Sequence, residues 1–306
     1  MTQIHTLEGQ YVAIITPVTP DGDIDFRKLD ALVEDLIRAK VDGICACGTT
    51  GQSATLTHDE HVNVAIHVKM QINGRCRFIA AAGSNSTREA MHMTRLLENA
   101  LGPTIFLHVT GYYNNPPQEG LIRHYETLAE NLFHEDSSII LYNVPSRTGS
   151  FIKTETVIKL SANPRIIGIK EASGDLDHIL KIIENVSPDD FRVLSGECHQ
   201  TVEIIRMGGK GVISATGNVA PVMMRNIVQA ALSGNYEEAD RLQQDAIPVI
   251  DAVFRAKNPI PLLMMFGSHI RLPLVQLPEI EDEILAVISR FSAEDRGIDL
   301  AKYVAP

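Results

Sequence analysis

Lys170 closes the apolar run Ile166-Ile167-Gly168-Ile169-Lys170. Alternate side chains of an extended strand share a face, so Ile166, Gly168 and Lys170 point the same way. A lysine carried into an apolar interior loses hydration, which disfavours its charged form. The neutral amine is the form that condenses with a ketone to give an imine. By position alone a strand-end lysine that reaches solvent is the commoner case, because most lysines are exposed. Tyr142 ends a second run, Ser138-Ile139-Ile140-Leu141-Tyr142. A phenol one strand from a reactive lysine can shuttle protons as a carbinolamine forms and dehydrates. It can equally be a half-buried tyrosine with a satisfied hydroxyl.

Other polar residues follow apolar runs. Arg147 sits in the turn Pro145-Ser146-Arg147-Thr148-Gly149, where a guanidinium can clamp a carboxylate with two hydrogen bonds. In isolation it is an ordinary surface arginine. Gly48-Thr49-Thr50-Gly51 offers hydroxyls and backbone amides suited to a carboxylate, or it is a plain turn. It lacks the Lys-Ser/Thr ending of a phosphate loop. Gly196, in Ser195-Gly196-Glu197-Cys198, and Ile213, in Gly211-Val212-Ile213-Ser214, end the last two runs. Cys198 next to His199 matches no nucleophile–base motif and reads as a bystander thiol. His58 and His61 lie one turn apart but lack a convincing third ligand, so no metal is expected.

Eight short apolar runs, each followed by a segment of helical period, must position these groups. The expected strands are 11–16, 43–46, 77–82, 104–108, 138–142, 166–170, 193–196 and 211–213. Their mostly apolar character suits strands buried on both faces. Between them lie amphipathic segments: 26–39 with one apolar stripe, 57–72 opening on a capping box, then 87–99, 118–131, 154–160, 175–184, 200–207 and 221–232. Helices are expected at 236–255, 261–266 and 279–291. The fold class is therefore α/β, a (β/α)8 TIM barrel with a C-terminal helical appendage. Residues 1–232 form the expected catalytic barrel and 233–306 the helical region. In such barrels chemistry gathers at the C-terminal strand ends, where Lys170 and Tyr142 fall.

Composition narrows the function classes. The chain has 306 residues, 44 % hydrophobic and 21 % charged, an ordinary globular balance. A net charge of −11 argues against nucleic acid as a partner. No apolar run is long enough to span a bilayer, and Met1–Gln10 has no secretory apolar core. Cys45, Cys47, Cys76 and Cys198 show neither a disulfide framework nor a zinc spacing. Reduced thiols and a cytoplasmic location are expected.

Six strings occur in order: GTTGQSATLTHDEH, GYYNNPPQEG, LYNVPSRTG, IIGIKEASG, LSGE and GGKGVISATGNVAP, followed by NPIP and RLPL. Together they resemble the dihydrodipicolinate synthases of the pyruvate-dependent class I aldolase family, which also holds N-acetylneuraminate lyase. The resemblance runs from Leu7 through Leu274. It implies that Lys170 forms a Schiff base with pyruvate and that Tyr142 is the central proton relay. Thr50 and Tyr113 would complete a hydroxyl relay, Tyr113 reaching in from a neighbouring subunit. Thr49, Thr50 and Ile213 would hold pyruvate, Gly196 would line the substrate site, and Arg147 would bind the carboxylate of L-aspartate 4-semialdehyde. The implied product is 4-hydroxy-tetrahydrodipicolinate, on the diaminopimelate route to lysine. The implied chemistry needs no metal or organic cofactor, and the implied assembly is a homotetramer, a dimer of dimers.

The same resemblance implies feedback inhibition by L-lysine, bound at the tight dimer interface. The matching positions are Ser53, Ala54, His58, His61, Asn85, Glu89 and Tyr112, which would otherwise only pack a dimer. Three departures from the family pattern stand out: Gln52 where Glu is more familiar, Glu197-Cys198 where paired acids are common, and a shortened segment between Pro261 and Arg271. The competing readings are a sister aldolase or lyase using the same lysine on another 2-keto acid, a non-catalytic lysine-binding regulator, and a phosphate-binding barrel enzyme. Arg147 and Tyr113 argue against the first, the Thr50, Tyr142, Lys170 set against the second, and the lack of a convincing anion loop against the third.

Overall fold

The computed structural model describes residues 7–109 and 111–304. The expectation that Met1–Gln10 holds no secretory signal therefore lies largely outside the described residues. Among the described residues eight strands follow in order: β1 (Gly9–Ala13), β2 (Gly43–Ala46), β3 (Arg77–Ala81), β4 (Ile105–Val109), β5 (Ser138–Asn143), β6 (Ile166–Glu171), β7 (Arg192–Ser195) and β8 (Gly211–Ser214). They are hydrogen-bonded in sequence order and close into a barrel. The strand pairs are parallel, as helical crossovers require.

The (β/α)8 expectation holds, with local corrections. β1 stops at Ala13, not Thr16, because the N–H of Ile15 goes to Asn218 Oδ1 at 3.0 Å and leaves the ladder. The segment carrying Arg147 is a short helix, Pro145–Thr148, rather than a turn. Proline pre-sets its first residue and Gly149, at φ 70°, supplies the left-handed stop. Beyond Tyr236–Val253, Ile260–Met265 and Pro278–Ile288 lie two further helices, Ala293–Arg296 and Ala301–Val304. Four residues are too few to display a period, so the apolar pattern does not reveal them. The capping box at Thr57 forms as expected: its hydroxyl accepts from Glu60 N at 3.2 Å and its N–H donates to Glu60 at 2.8 Å.

The chain divides into two compact units. One comprises Met1–Gly9 and Ile79–Ile213, and carries Tyr142, Arg147, Lys170, Gly196 and Ile213. Phe106, Tyr125 and Phe191 are among its fully buried side chains. The other comprises Gln10–Phe78 and Ser214–Pro306, with Tyr11, Leu29, Leu32 and Phe266 in its core. Its C-terminal residues are tied down: the Tyr303 phenol donates to Asp35 at 2.8 Å, and its ring meets Phe266 edge-on.

Candidate active site

β5 and β6 place the two central groups side by side. Tyr142 and Lys170 are register partners, as are Asn143 and Glu171 one residue further on. Both Tyr142 and Lys170 are 7 % exposed. Lys170 Nζ stands over the Tyr142 ring, 4.4 Å from its centroid, so the amine is held against an aromatic face. This excludes the alternative of a lysine reaching into bulk solvent. Gly196 lies against the same amine stem. A Cβ there would come within 3.0 Å of Lys170 Cε and 2.8 Å of Ala172 Cβ, so any side chain at this position would press on the lysine stem or on Ala172. Val212 pairs with Ser195, which sets Ile213 and Gly196 one step further along β8 and β7.

The loops after β4 and β5 are stitched together. Tyr113 N donates to Thr148 O at 3.2 Å, and Ser150 Oγ donates to Gly111 O at 2.7 Å. This ties the Tyr113 backbone to the short helix that carries Arg147, an exposed residue. Tyr113 is 94 % exposed and sits at φ 71°, a left-handed conformation that is strained for an aromatic residue.

Thr49 and Thr50 occupy a tight loop of the second unit, after β2. Gly51 permits it, since a Cβ would lie 3.1 Å from Ile14 O. Thr50 is 3 % exposed and its hydroxyl accepts from Asn258 Nδ2 at 3.0 Å. Gln52, also at positive φ, donates Nε2 to Thr16 O at 3.0 Å, so its uncharged amide closes the loop onto the segment that follows β1. A carboxylate at position 52 would face that carbonyl with no proton to offer.

The positions matched to lysine binding fall in both units. Ser53 and Ala54 lie in a single 3-10 turn, His58 opens the helix His58–Ile72, and His61 is buried one turn on. Asn85 O accepts from Asn114 Nδ2 at 3.2 Å, which joins Asn85 to the Tyr112–Asn114 segment. Glu89 is hydrogen-bonded by Ser84 Oγ. The thiols are poor nucleophiles where a shift is evident: burial pushes Cys76 up to about 11 and Cys47 higher still. A groove of ≈ 330 Å³ lined by Phe151, Lys153, Thr154, Asp175, His178 and Lys181 holds none of the residues singled out from the sequence.

Three polar residues escape a reading of the sequence. Asn143 and Glu171 are fully buried directly after Tyr142 and Lys170, and Asn258 reaches Thr50 from 208 residues away. Glu171 lies one residue past the strand expected at 166–170, so its burial inside β6 is visible only in the structure.

A model of the dihydrodipicolinate synthetase family matches residues 6–286. The chain belongs to that family. It is 44 % identical over 287 residues to the 4-hydroxy-tetrahydrodipicolinate synthase of Methanopyrus kandleri, covering 91 % of this chain and 94 % of that one. Among solved structures it resembles the chloride-inhibited dihydrodipicolinate synthase of Acinetobacter baumannii complexed with pyruvate. There the TM-score is 0.88 at 36 % identity, over 96 % of this chain and 100 % of that one. The dihydrodipicolinate synthase of Cyanidioschyzon merolae with lysine bound gives 0.87 at 34 %, over 93 % and 98 %. The chain is thus a family member with the family's barrel, and an enzyme of the lyase class. No helix among the described residues is long and apolar enough to cross a membrane.

Proposed function

We propose that this enzyme condenses pyruvate with L-aspartate 4-semialdehyde through a Schiff base on Lys170, giving 4-hydroxy-tetrahydrodipicolinate for lysine biosynthesis. The observation that carries the reading is the buried amine of Lys170 against the ring of its register partner Tyr142. The neutral amine attacks C2 of pyruvate, and the carbinolamine loses water to give the imine. Tyr142 passes the protons of that step, with the hydroxyls of Thr50 and of Tyr113 from a second subunit. Loss of a proton from C3 gives an enamine, which forms a carbon–carbon bond to the aldehyde carbon while the aldehyde oxygen takes up a proton. The amine of the adduct then attacks the imine carbon and displaces Lys170, closing the ring. Thr49, Thr50 and Ile213 hold pyruvate, Gly196 lines the substrate site, and Arg147 binds the carboxylate of the semialdehyde. The lysine amine is the covalent catalyst, so this chemistry calls for no metal or organic cofactor.

The exposed ring of Tyr113 supports a dimer that completes the relay, within a homotetramer. L-lysine is the proposed inhibitor, its ammonium paired by Glu89 and its site lined by Ser53, Ala54, His58, His61, Asn85 and Tyr112. The cytosol is the compartment that suits four thiol cysteines. Steady-state assays test the substrate assignment: pyruvate with L-aspartate 4-semialdehyde turns over, whereas other aldehydes react at least tenfold more slowly (about 1.4 kcal/mol of discrimination). Equal rates with an unrelated aldehyde would assign a sister aldolase instead. Calorimetry with L-lysine tests regulation. Heat of binding together with inhibition at millimolar ligand is expected, and neither would appear if those residues only packed a dimer.

A further inference from the structure

Glu171 is a fully buried carboxylate, and burying an ion in protein is costly unless other groups satisfy it. Its partners are unusual in where they come from. Alternation turns Glu171 to the opposite face from Lys170, and Asn143 to the opposite face from Tyr142. Asn143 Nδ2 lies 3.0 and 3.2 Å from the two Glu171 oxygens, and Ser173 N donates to Oε1 at 2.8 Å. Asn143 Oδ1 in turn accepts from Ile152 N at 3.1 Å. His178 Nε2 stands 3.3 Å from Glu171 Oε2, too poorly aligned for a hydrogen bond, while Thr154 Oγ1 meets its Nδ1 at 2.8 Å. The backbones are pinned as well: Ala172 N donates to Asn143 O at 2.9 Å, and Gly196 N to Glu171 O at 2.6 Å.

Resting on the Schiff-base reading above, we propose that Glu171 and Asn143 are positioning residues for that reaction, a carboxylate–carboxamide clamp that holds Lys170 at its station against Tyr142. An apolar pair would fill the same space without desolvating a charge. It would also allow the two strand ends to slide by the few tenths of an ångström that van der Waals packing tolerates. The clamp does not. The Asn143 amide spans both carboxylate oxygens, Oε1 also accepts from Ser173 N, and each clamp residue is bonded directly to a residue that the reading gives a chemical step. A small displacement of Nζ from the attack geometry is amplified in rate, since misplacement on the ångström scale slows a reaction by roughly 100-fold.

The matched donors and acceptors supply the test. In Glu171→Gln an amide NH2 replaces one acceptor oxygen, opposing the donors of Asn143 or Ser173. In Asn143→Asp two carboxylates face each other. The double variant N143D/E171Q restores a donor–acceptor contact between the two side chains with the roles exchanged, while Oε1 at position 171 can still accept from Ser173 N. The new amide at position 171 donates to the new carboxylate at position 143, whose second oxygen still accepts from Ile152 N. Each protein is incubated with saturating pyruvate and borohydride, and the rate of adduct formation on Lys170 is followed with kcat, KM and melting temperature. Each single variant is expected to lower kcat and the trapping rate roughly 10- to 100-fold, with KM for pyruvate within about threefold. The double variant is expected to recover to within about threefold of the parent.

A merely structural brace would lower the melting temperature and leave kcat per folded molecule untouched. Glu171→Gln trapping at the parent rate overturns the proposal. If the single variants do not fold, the double variant decides. Folded and fast supports the clamp, while folded and slow, or unfolded, overturns it. A parent protein that gains no adduct overturns the Schiff-base reading and the clamp with it. An adduct in the parent with equal rates in every variant overturns the clamp alone.

Discussion

Two places in the first unit are built from the same parts and differ in one residue type. In each, the first residue of a helix is a threonine whose hydroxyl meets Nδ1 of a buried histidine on the next helix. Thr87 holds His124 at 2.9 Å, and Thr154 holds His178 at 2.8 Å. The strand between the two helices is β4 in the first case and β6 in the second. β6 contributes Glu171, whose carboxylate faces His178 and is satisfied by Asn143 and Ser173. β4 contributes His108. Thr94 spends its hydroxyl proton on Ala90 O at 2.7 Å, so it accepts from His108 Nε2 at 3.4 Å, and Nδ1 of His108 has no hydrogen-bond partner among the described residues. Burial, with His124 as a second cause, lowers His108 to about 3, and burial lowers His124 to about 4. One scaffold thus carries a buried carboxylate held by Asn143 and Ser173 behind Lys170, and a pair of imidazoles kept neutral behind β4. Polar burial serves position at β6 and creates acid sensitivity at β4.

The largest effect that separates the two places is on chemistry at β5 and β6. Tyr142→Phe keeps the ring against Lys170 and removes the proton carrier, so kcat is expected to fall about 10²- to 10⁴-fold with the fold intact. A fall below about threefold would remove Tyr142 from the relay. Next comes acid sensitivity at β4. Both histidines titrate lower folded than their usual 6.5, so the unfolded chain binds protons that the folded chain refuses. Stability is therefore intact above pH 6.5 and declines as pH falls below it, down to the folded values near 4 and 3. Well inside that window each histidine contributes about 1.4 kcal/mol per pH unit. Denaturation midpoints at about pH 7, 6 and 5 measure the slope, and His108→Phe is expected to flatten it by one group's share. An unchanged slope would place the sensitivity elsewhere.

Gly196→Ala is expected to cost about 1–3 kcal/mol, because its new methyl meets Ala172 Cβ and Lys170 Cε. It should also slow adduct formation, whereas a variant as stable and fast as the parent would show that the strand end yields freely. The smallest and sharpest contrast pairs Thr154→Val with Thr87→Val. Each removes one hydroxyl from a buried imidazole and is expected to cost about 1 kcal/mol in thermal denaturation. Only Thr154→Val should lower kcat as well, since its histidine backs Glu171. Equal kinetics in both would dissolve the distinction between the two places.

How far the residues can be read in advance follows from what each interaction requires. Helix starts are legible because proline and capping residues act locally: Thr57 and Glu60 are three residues apart, and Pro221 opens its helix as its chemistry dictates. Lys170 and Tyr142 are legible as polar residues that end apolar runs. Glu171 and Asn143 are not. Strand alternation says only that they face away from the site, and their meeting depends on the register between β5 and β6. Asn258 is hidden for the same reason, because its contact with Thr50 closes over 208 residues of chain. The helix under Arg147 is hidden by its brevity. The units in which these residues lie interleave along the chain, so order in sequence does not announce them.

The most direct test of the central claim, that the buried amine of Lys170 becomes covalently joined to a keto acid, is reductive trapping followed by peptide mapping. The parent protein and Lys170→Ala are each treated with borohydride in the presence of pyruvate and then digested. A reduced three-carbon acid adduct confined to the peptide containing Lys170, with no adduct and no synthesis in Lys170→Ala, is the expected result. An unmodified Lys170 peptide in a fully active sample, or normal synthesis by Lys170→Ala, would contradict it.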